Sequence, residues 1–178
     1  NGTNNLITNI ENLDLEGLSL YLDMAPTQFY GRLSGKVEVE DFLNNPIVKG
    51  KVFSTNELRI DQDTVGMVMV EASYDVNSKV LNIDKNTSID RKGDLAFVSG
   101  IIDLKDSTIN MKATLNNTEI AFVNQFVSDF VQNLRGKLTG NVTVIGKLPE
   151  PPISGQLKLN DAGMKVILLG TSYQINDA

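Results

Sequence analysis

The chain contains no cysteine, no histidine and no tryptophan. Without cysteine and histidine it cannot assemble a Ser-His-Asp or Cys-His nucleophile system, or a zinc site of the usual Cys/His type. The missing cysteine leaves the redox compartment open, because an oxidising periplasm does not demand disulfides. No apolar run approaches the length needed to span a bilayer, and no basic region followed by an apolar segment opens the sequence. Any targeting signal or anchor is therefore expected outside these residues, in a longer parent. Charge of one sign is nowhere concentrated: 16 Lys+Arg stand against 22 Asp+Glu, a formal charge of -6. Phosphate binding needs a clustered basic footprint, so nucleic acid is not an expected partner.

Two further signals lead away from catalysis and cofactors. Asp61-Gln62-Asp63 begins like an acidic calcium loop, but Val65 and Ala72 stand where oxygen ligands are needed. No carboxylate interrupts an apolar stripe, the usual hint of a raised pKa, so the chain is not read as an enzyme and no cofactor or metal is assigned.

What is present is alternation. At 178 residues the chain can bury roughly two thirds of its unfolded surface as a single unit. Leu18, Leu20, Leu22 and Met24 alternate with polar residues, as do Ile109, Met111, Ala113 and Leu115, and then Leu138, Val142 and Val144. Period two marks strands with one face buried. Similar strands are expected near 32–40, 47–54, 56–61, 67–75, 79–84, 94–104, 153–160, 163–169 and 172–176. Turn chemistry such as Asn44-Asn45-Pro46, Lys105-Asp106-Ser107 and Pro149-Glu150-Pro151-Pro152 separates them in the order of a meander. One stretch differs. From about 118 to 134 the apolar residues Val123, Phe126, Val127, Phe130, Val131 and Leu134 recur at three- and four-residue steps, with Asn117 or Thr118 placed to cap the stretch and Gly136 to end it. This predicts one short amphipathic helix.

Sliding the chain by 105 positions places Gly31, Leu33, Gly35, Val37, Val39, Leu43, Pro46 and Gly50 on Gly136, Leu138, Gly140, Val142, Val144, Leu148, Pro151 and Gly155. The windows 31–50 and 136–155 therefore read as one strand–turn–strand unit used twice, within a single β-rich segment 1–178 of a longer repetitive protein. With one helix in view, the apolar faces must meet in a closed sandwich or line a folded trough.

The runs Gly136-Lys-Leu-Thr-Gly140-Asn-Val-Thr-Val-Ile-Gly146, Pro151-Pro-Ile-Ser-Gly155-Gln-Leu-Lys-Leu-Asn160 and Val166-Ile-Leu-Leu-Gly170-Thr-Ser-Tyr173-Gln-Ile-Asn-Asp177 resemble the C-terminal β-repeat region of the TamB family, in the AsmA-like superfamily. The resemblance implies a mainly β fold: an extended curled sheet forming an open apolar trough, taco-like in section. It also implies a periplasmic protein anchored in the inner membrane of a Gram-negative bacterium. Its implied partners are phospholipid and, through the parent, an outer-membrane barrel of the Omp85 type, similar to TamA. The implied role is shelter of phospholipid acyl chains between the two membranes, linked to outer-membrane biogenesis. The alternative is a scaffold or chaperone for outer-membrane β-barrel or autotransporter assembly, acting through exposed strand edges. A third reading is an extracellular β-repeat stalk with a filled core.

Candidate lining residues are Leu33, Val37, Val39, Ile109, Met111, Leu115, Leu138, Val142, Val144, Leu157 and Leu159, with Phe126, Val127 and Phe130 as a candidate lid. Taken singly, each is also an ordinary core residue. Raw sheet edges are expected to give crystal dimers by strand addition.

Overall fold

The computed structural model describes residues 4–16, 28–61, 63–120 and 131–175. Within them lie β1 (Leu6–Asp14), β2 (Phe29–Tyr30), β3 (Arg32–Glu40), β4 (Ile47–Ser54), β5 (Leu58–Ile60), β6 (Asp63–Asp75) and β7 (Val80–Ile83). β8 (Ser88–Arg91), β9 (Asp94–Asp103), β10 (Thr108–Glu119), β11 (Val131–Lys147), β12 (Ile153–Val166) and β13 (Thr171–Ile175) follow. All belong to one antiparallel sheet, ordered β1-β3-β4-β6-β7-β9-β10-β11-β12-β13, with β8 continuing the line of β7 and the short β2 and β5 beside β6. The mainly β expectation holds.

Parity is kept across this sheet by register. Residues directly opposite in an antiparallel pair share a face, so the pairing partners trace rows from strand to strand. One row reads Leu6, Val39, Val48, Tyr74, Leu81, Ile102, Ile109 and Gly146. The next reads Thr8, Val37, Gly50, Ala72, Ile83, Gly100, Met111, Val144 and Ile153. The opposite face reads Lys36, Lys51 and Glu71 at one place and Ser99, Lys112, Thr143 and Ser154 at another.

Three hydroxyls repair the places where the ladder breaks, and they are the buried polar residues among those described: Ser54, Thr87 and Thr118. Ser54 Oγ accepts from the Val68 amide at 2.8 Å where β4 parts from β6. Thr87, in the gap between β7 and β8, accepts from the Glu71 amide at 3.0 Å and donates to the Glu71 carbonyl at 3.1 Å. Thr118 Oγ1 donates to the Leu95 carbonyl at 3.3 Å beside a bulge in β10. A buried backbone group left without a partner costs about 1–3 kcal/mol, so these side chains keep the sheet continuous.

The strand units 105 positions apart share their register. Leu33 pairs Ser54 as Leu138 pairs Leu159, and Val37 pairs Gly50 as Val142 pairs Gly155. Ahead of each unit, Asn12 and Asn117 adopt φ of 51° and 55° at a bulge. Their amides donate to Ser34 Oγ at 2.9 Å and Thr139 Oγ1 at 3.0 Å. Gly35 and Gly140 have φ of +152° and +145°, and a Cβ on either would sit 2.2 or 2.1 Å from the carbonyl oxygen of Lys51 or Gln156. Only glycine lets the neighbouring backbone approach so closely.

The expected helix at about 118–134 is not a helix at either end. Thr118 and Glu119 close β10, and Val131 to Leu134 open β11; positions 121–130, with Phe126, Val127 and Phe130, lie outside the described residues. The physical reason is visible at the bulge. Pairing slips between Gln132 and Arg135, and Asn133 has φ of 55°, so three-residue apolar spacing can stay on one side of a strand. Thr118 is spent on the Leu95 carbonyl instead of a helix cap. Likewise β12 runs unbroken from Ile153 to Val166, where two strands were expected, and β1 and β8 were not anticipated. The alternation at Leu18–Met24 lies outside the described residues.

Thr87→Val, which removes the hydroxyl and keeps the shape, is expected to destabilise the protein by about 1–3 kcal/mol because the Glu71 amide loses its partner. Thr143→Val, on the polar face, should cost less than about 0.5 kcal/mol. Urea midpoints at unchanged slope measure both. Equal shifts would contradict the repair role.

Candidate functional site

The candidate site is the apolar face itself. Every one of the eleven candidate lining residues falls on it: Leu33, Val37 and Val39 from β3, Ile109, Met111 and Leu115 from β10, Leu138, Val142 and Val144 from β11, and Leu157 and Leu159 from β12. β3 and β10 are not neighbours. The rows join them through Val48 and Val52 on β4, Val70 and Ala72 on β6, Leu81 and Ile83 on β7, Ile89 on β8, and Val98 and Ile102 on β9. The result is a contiguous, mainly aliphatic surface eight strand positions wide from β3 to β12, β7 and β8 sharing one position.

Those joining residues were missed from the sequence for a definite reason. Along Val65 to Val70 both faces are apolar, with Met67 and Met69 alternating against Val68 and Val70, so parity cannot be read there. The outer face accordingly holds exposed Phe53, Met67, Met69, Phe97, Ile101 and Ile145 among its polar residues. Its charges form ion pairs between Lys49 and Glu40 at 2.7 Å, Lys51 and Glu71 at 3.4 Å, and Lys36 and Glu38 at 3.5 Å.

The apolar face is only half covered. Ala96, Leu115 and Leu138 form a small buried cluster, with Ile89, Ile120, Val142 and Leu159 packed on it. No side chain among the described residues is completely buried, and Ile153 and Leu157, at the β12 end, remain 73% and 45% exposed. In a filled sandwich the inner faces of two sheets interdigitate at interior packing density; no such second layer lies over this face among the described residues. Beside the cluster, Ile120, Leu134, Leu159, Ala162, Gly163, Met164 and Tyr173 line a half-open apolar pocket of about 100 Å³. Chemically, a surface of this kind gains free energy when an apolar guest displaces the water against it.

A family model described as TamB, N-terminal domain, matches residues 2–159. No curated protein and no solved structure matches the chain. The family expected from the motifs is the one found, but the region is corrected from C-terminal to N-terminal. Those motifs mark a strand–turn–strand unit that this chain itself carries in matching register at two places, so they do not report position along a parent.

Native protein is expected to enhance the fluorescence of anilinonaphthalene sulfonate without denaturant, as exposed apolar surface does. Val37→Asp combined with Val142→Asp should reduce the enhancement by about half, since two charges interrupt the face. Lys112→Ser, on the other face, should leave it unchanged. No enhancement by the native protein would show that the face is covered.

Proposed function

The chain belongs to the TamB family, and from that premise we propose that it is a wall segment of a periplasmic, inner-membrane-anchored lipid-transport protein. In this reading the sheet curls into an open trough, its apolar face inward. Phospholipid acyl chains lie against Leu33, Val37, Val39, Ile109, Met111, Leu115, Leu138, Val142, Val144, Leu157 and Leu159. The module binds and conveys, and performs no chemistry. Through its parent it works with a TamA-like barrel in outer-membrane biogenesis.

The observation that supports this reading is the half-covered, mainly aliphatic face that runs unbroken from β3 to β12. Each methylene moved from water to such a surface contributes about 0.8 kcal/mol, so a few of them suffice to hold a chain. Because the wall lacks polar partners, the same free energy is available at each step along it. Sliding then costs little, whereas a pocket with oriented donors would pin its ligand.

A second reading, in which strand edges receive client strands of outer-membrane proteins, is favoured by one feature. β1 is nine residues long, has neither lysine nor proline, and exposes Leu6 and Ile7. Before the bulge at Asn12, the stretch Leu6 to Ile10 offers an uncharged edge open to strand addition. The same edge would give the expected strand-paired dimers in crystals.

The test compares both readings. Protein purified from a Gram-negative host is expected to carry phospholipid detectable by mass spectrometry. Val37→Asp with Val142→Asp should lower the lipid per chain by about fivefold or more, the two charges being costly against hydrocarbon. Photo-crosslinkers at Thr8 and Ser172 should stay silent toward unfolded barrel proteins. Crosslinks there, with no lipid in any form, would replace the lipid reading with the edge reading.

A further inference from the structure

One end of the sheet has a regular feature that neither lipid shelter nor edge pairing uses. β3, β6, β9 and β11 all run toward this end, and each turns back there into its antiparallel neighbour. Just beyond every one of these strands stands an apolar residue whose amide donates to the carbonyl just ahead of the strand on the other side. Phe42 donates to Asn4 at 3.2 Å, Val76 to Pro46 at 3.2 Å, Leu104 to Lys79 at 3.0 Å and Leu148 to Ser107 at 2.8 Å. The backbone at four successive turns is therefore held in the same way, and what it presents is the same. All four side chains are exposed, Leu104 by 53%, and Leu43 beside Phe42 by 67%.

Scattered surface leucines need no explanation. A row does. At the opposite end, Thr55-Asn56-Glu57 and Lys92-Gly93 are polar connections; of the turns described there, the β12–β13 turn exposes apolar side chains, Ile167, Leu168 and Leu169.

We propose that this rim is a docking surface for an amphipathic α-helix lying across the strand ends. The spacing selects the occupant. Consecutive tips are two strands apart, roughly 9.5 Å, close to two helical turns at about 10.8 Å. An apolar stripe repeating every two turns meets one tip after another, while a strand or an irregular segment has no such period. Charge selects its flanks. Asp41, Asp75, Asp103, Asp106 and Glu150 accompany the tips against Lys79, Lys105 and Lys147. The amides of Ser78 and Asn77 donate to Asp75 and hold its carboxyl below the usual carboxylate range, so it remains ionised. The partner helix is therefore basic beside its apolar stripe. The same carboxylates disfavour an anionic bilayer as the occupant.

The probe is a labelled peptide of about 21 residues, leucine at the a and d positions and lysine elsewhere, with a scrambled isomer as control. Fluorescence anisotropy should show saturable binding to the whole chain, with helical circular dichroism induced in the peptide. Changing Leu43, Val76, Leu104 and Leu148 to serine should weaken it by about tenfold or more. Lys112→Ser on the polar sheet face and Leu168→Ser at the other end should not. Equal binding of the scrambled peptide, or full binding by the rim variant, would overturn the proposal. So would rim-dependent sedimentation with phosphatidylglycerol vesicles in place of peptide binding.

Discussion

Everything in this molecule depends on parity: each strand must present its aliphatic side to the same face as its neighbours. The side-chain period of a strand is two, so a slip of a single residue exchanges the faces. Across ten laterally ordered strands one such slip would split the surface into two half-faces of opposite sense. The antiparallel ladder prevents this, and bulges at Asn12 and Asn117 and breaks at Ser54, Thr87 and Thr118 are the places where it is most exposed to error. At each, a side-chain hydroxyl takes over a hydrogen bond that a backbone group would have made. Ser54 and Thr118 lie opposite Leu33 and Leu138, in the rows of the apolar face, with their hydroxyls engaged by backbone groups.

A sheet with one half-covered apolar face is an unusual thing to stabilise. Its small cluster of Ala96, Leu115 and Leu138 buries little, so side-chain burial alone cannot hold the fold in the way a closed core does. Long continuous strands compensate in part. β11 and β12 extend over 17 and 14 residues, and cross-strand pairs accumulate along them. The ion pairs on the opposite face involve side chains that are a quarter to two thirds exposed, and pairs of that kind contribute little each. Covering the aliphatic face with lipid would remove apolar surface from water and so add to stability by linkage. Ligand shelter and fold stability are in this way the same physical term.

Much of this was legible in the sequence wherever parity was clean. On β3, β10 and β11 the alternation of aliphatic and polar residues placed the strands and their faces together, and the shift of 105 aligned units that share their register. Legibility failed where an extra residue is inserted. At Asn12 and Asn133 a left-handed residue turns a two-residue period into a three-residue one, which hid β1 and lent the start of β11 a helical look. It failed again at β6, where Met67 and Met69 make both faces apolar. The rim at Phe42, Val76, Leu104 and Leu148 was invisible because its regularity lies between strands distant in sequence. Glycine and proline punctuation identified the family and misplaced the region, since repeated units carry the same punctuation wherever they stand.

The most direct test of one continuous lipid-facing surface uses a property noted at the outset, the absence of any native cysteine. Single cysteines placed in turn at Asn141, Val142, Thr143 and Val144 on β11, and at Lys36, Val37, Glu38 and Val39 on β3, would be labelled with a maleimide with and without phosphatidylethanolamine. Protection by lipid is expected at Val37, Val39, Val142 and Val144, with the residues between them labelled at unchanged rates on both strands. Protection that ignores parity, or that is absent from both strands, would contradict the account.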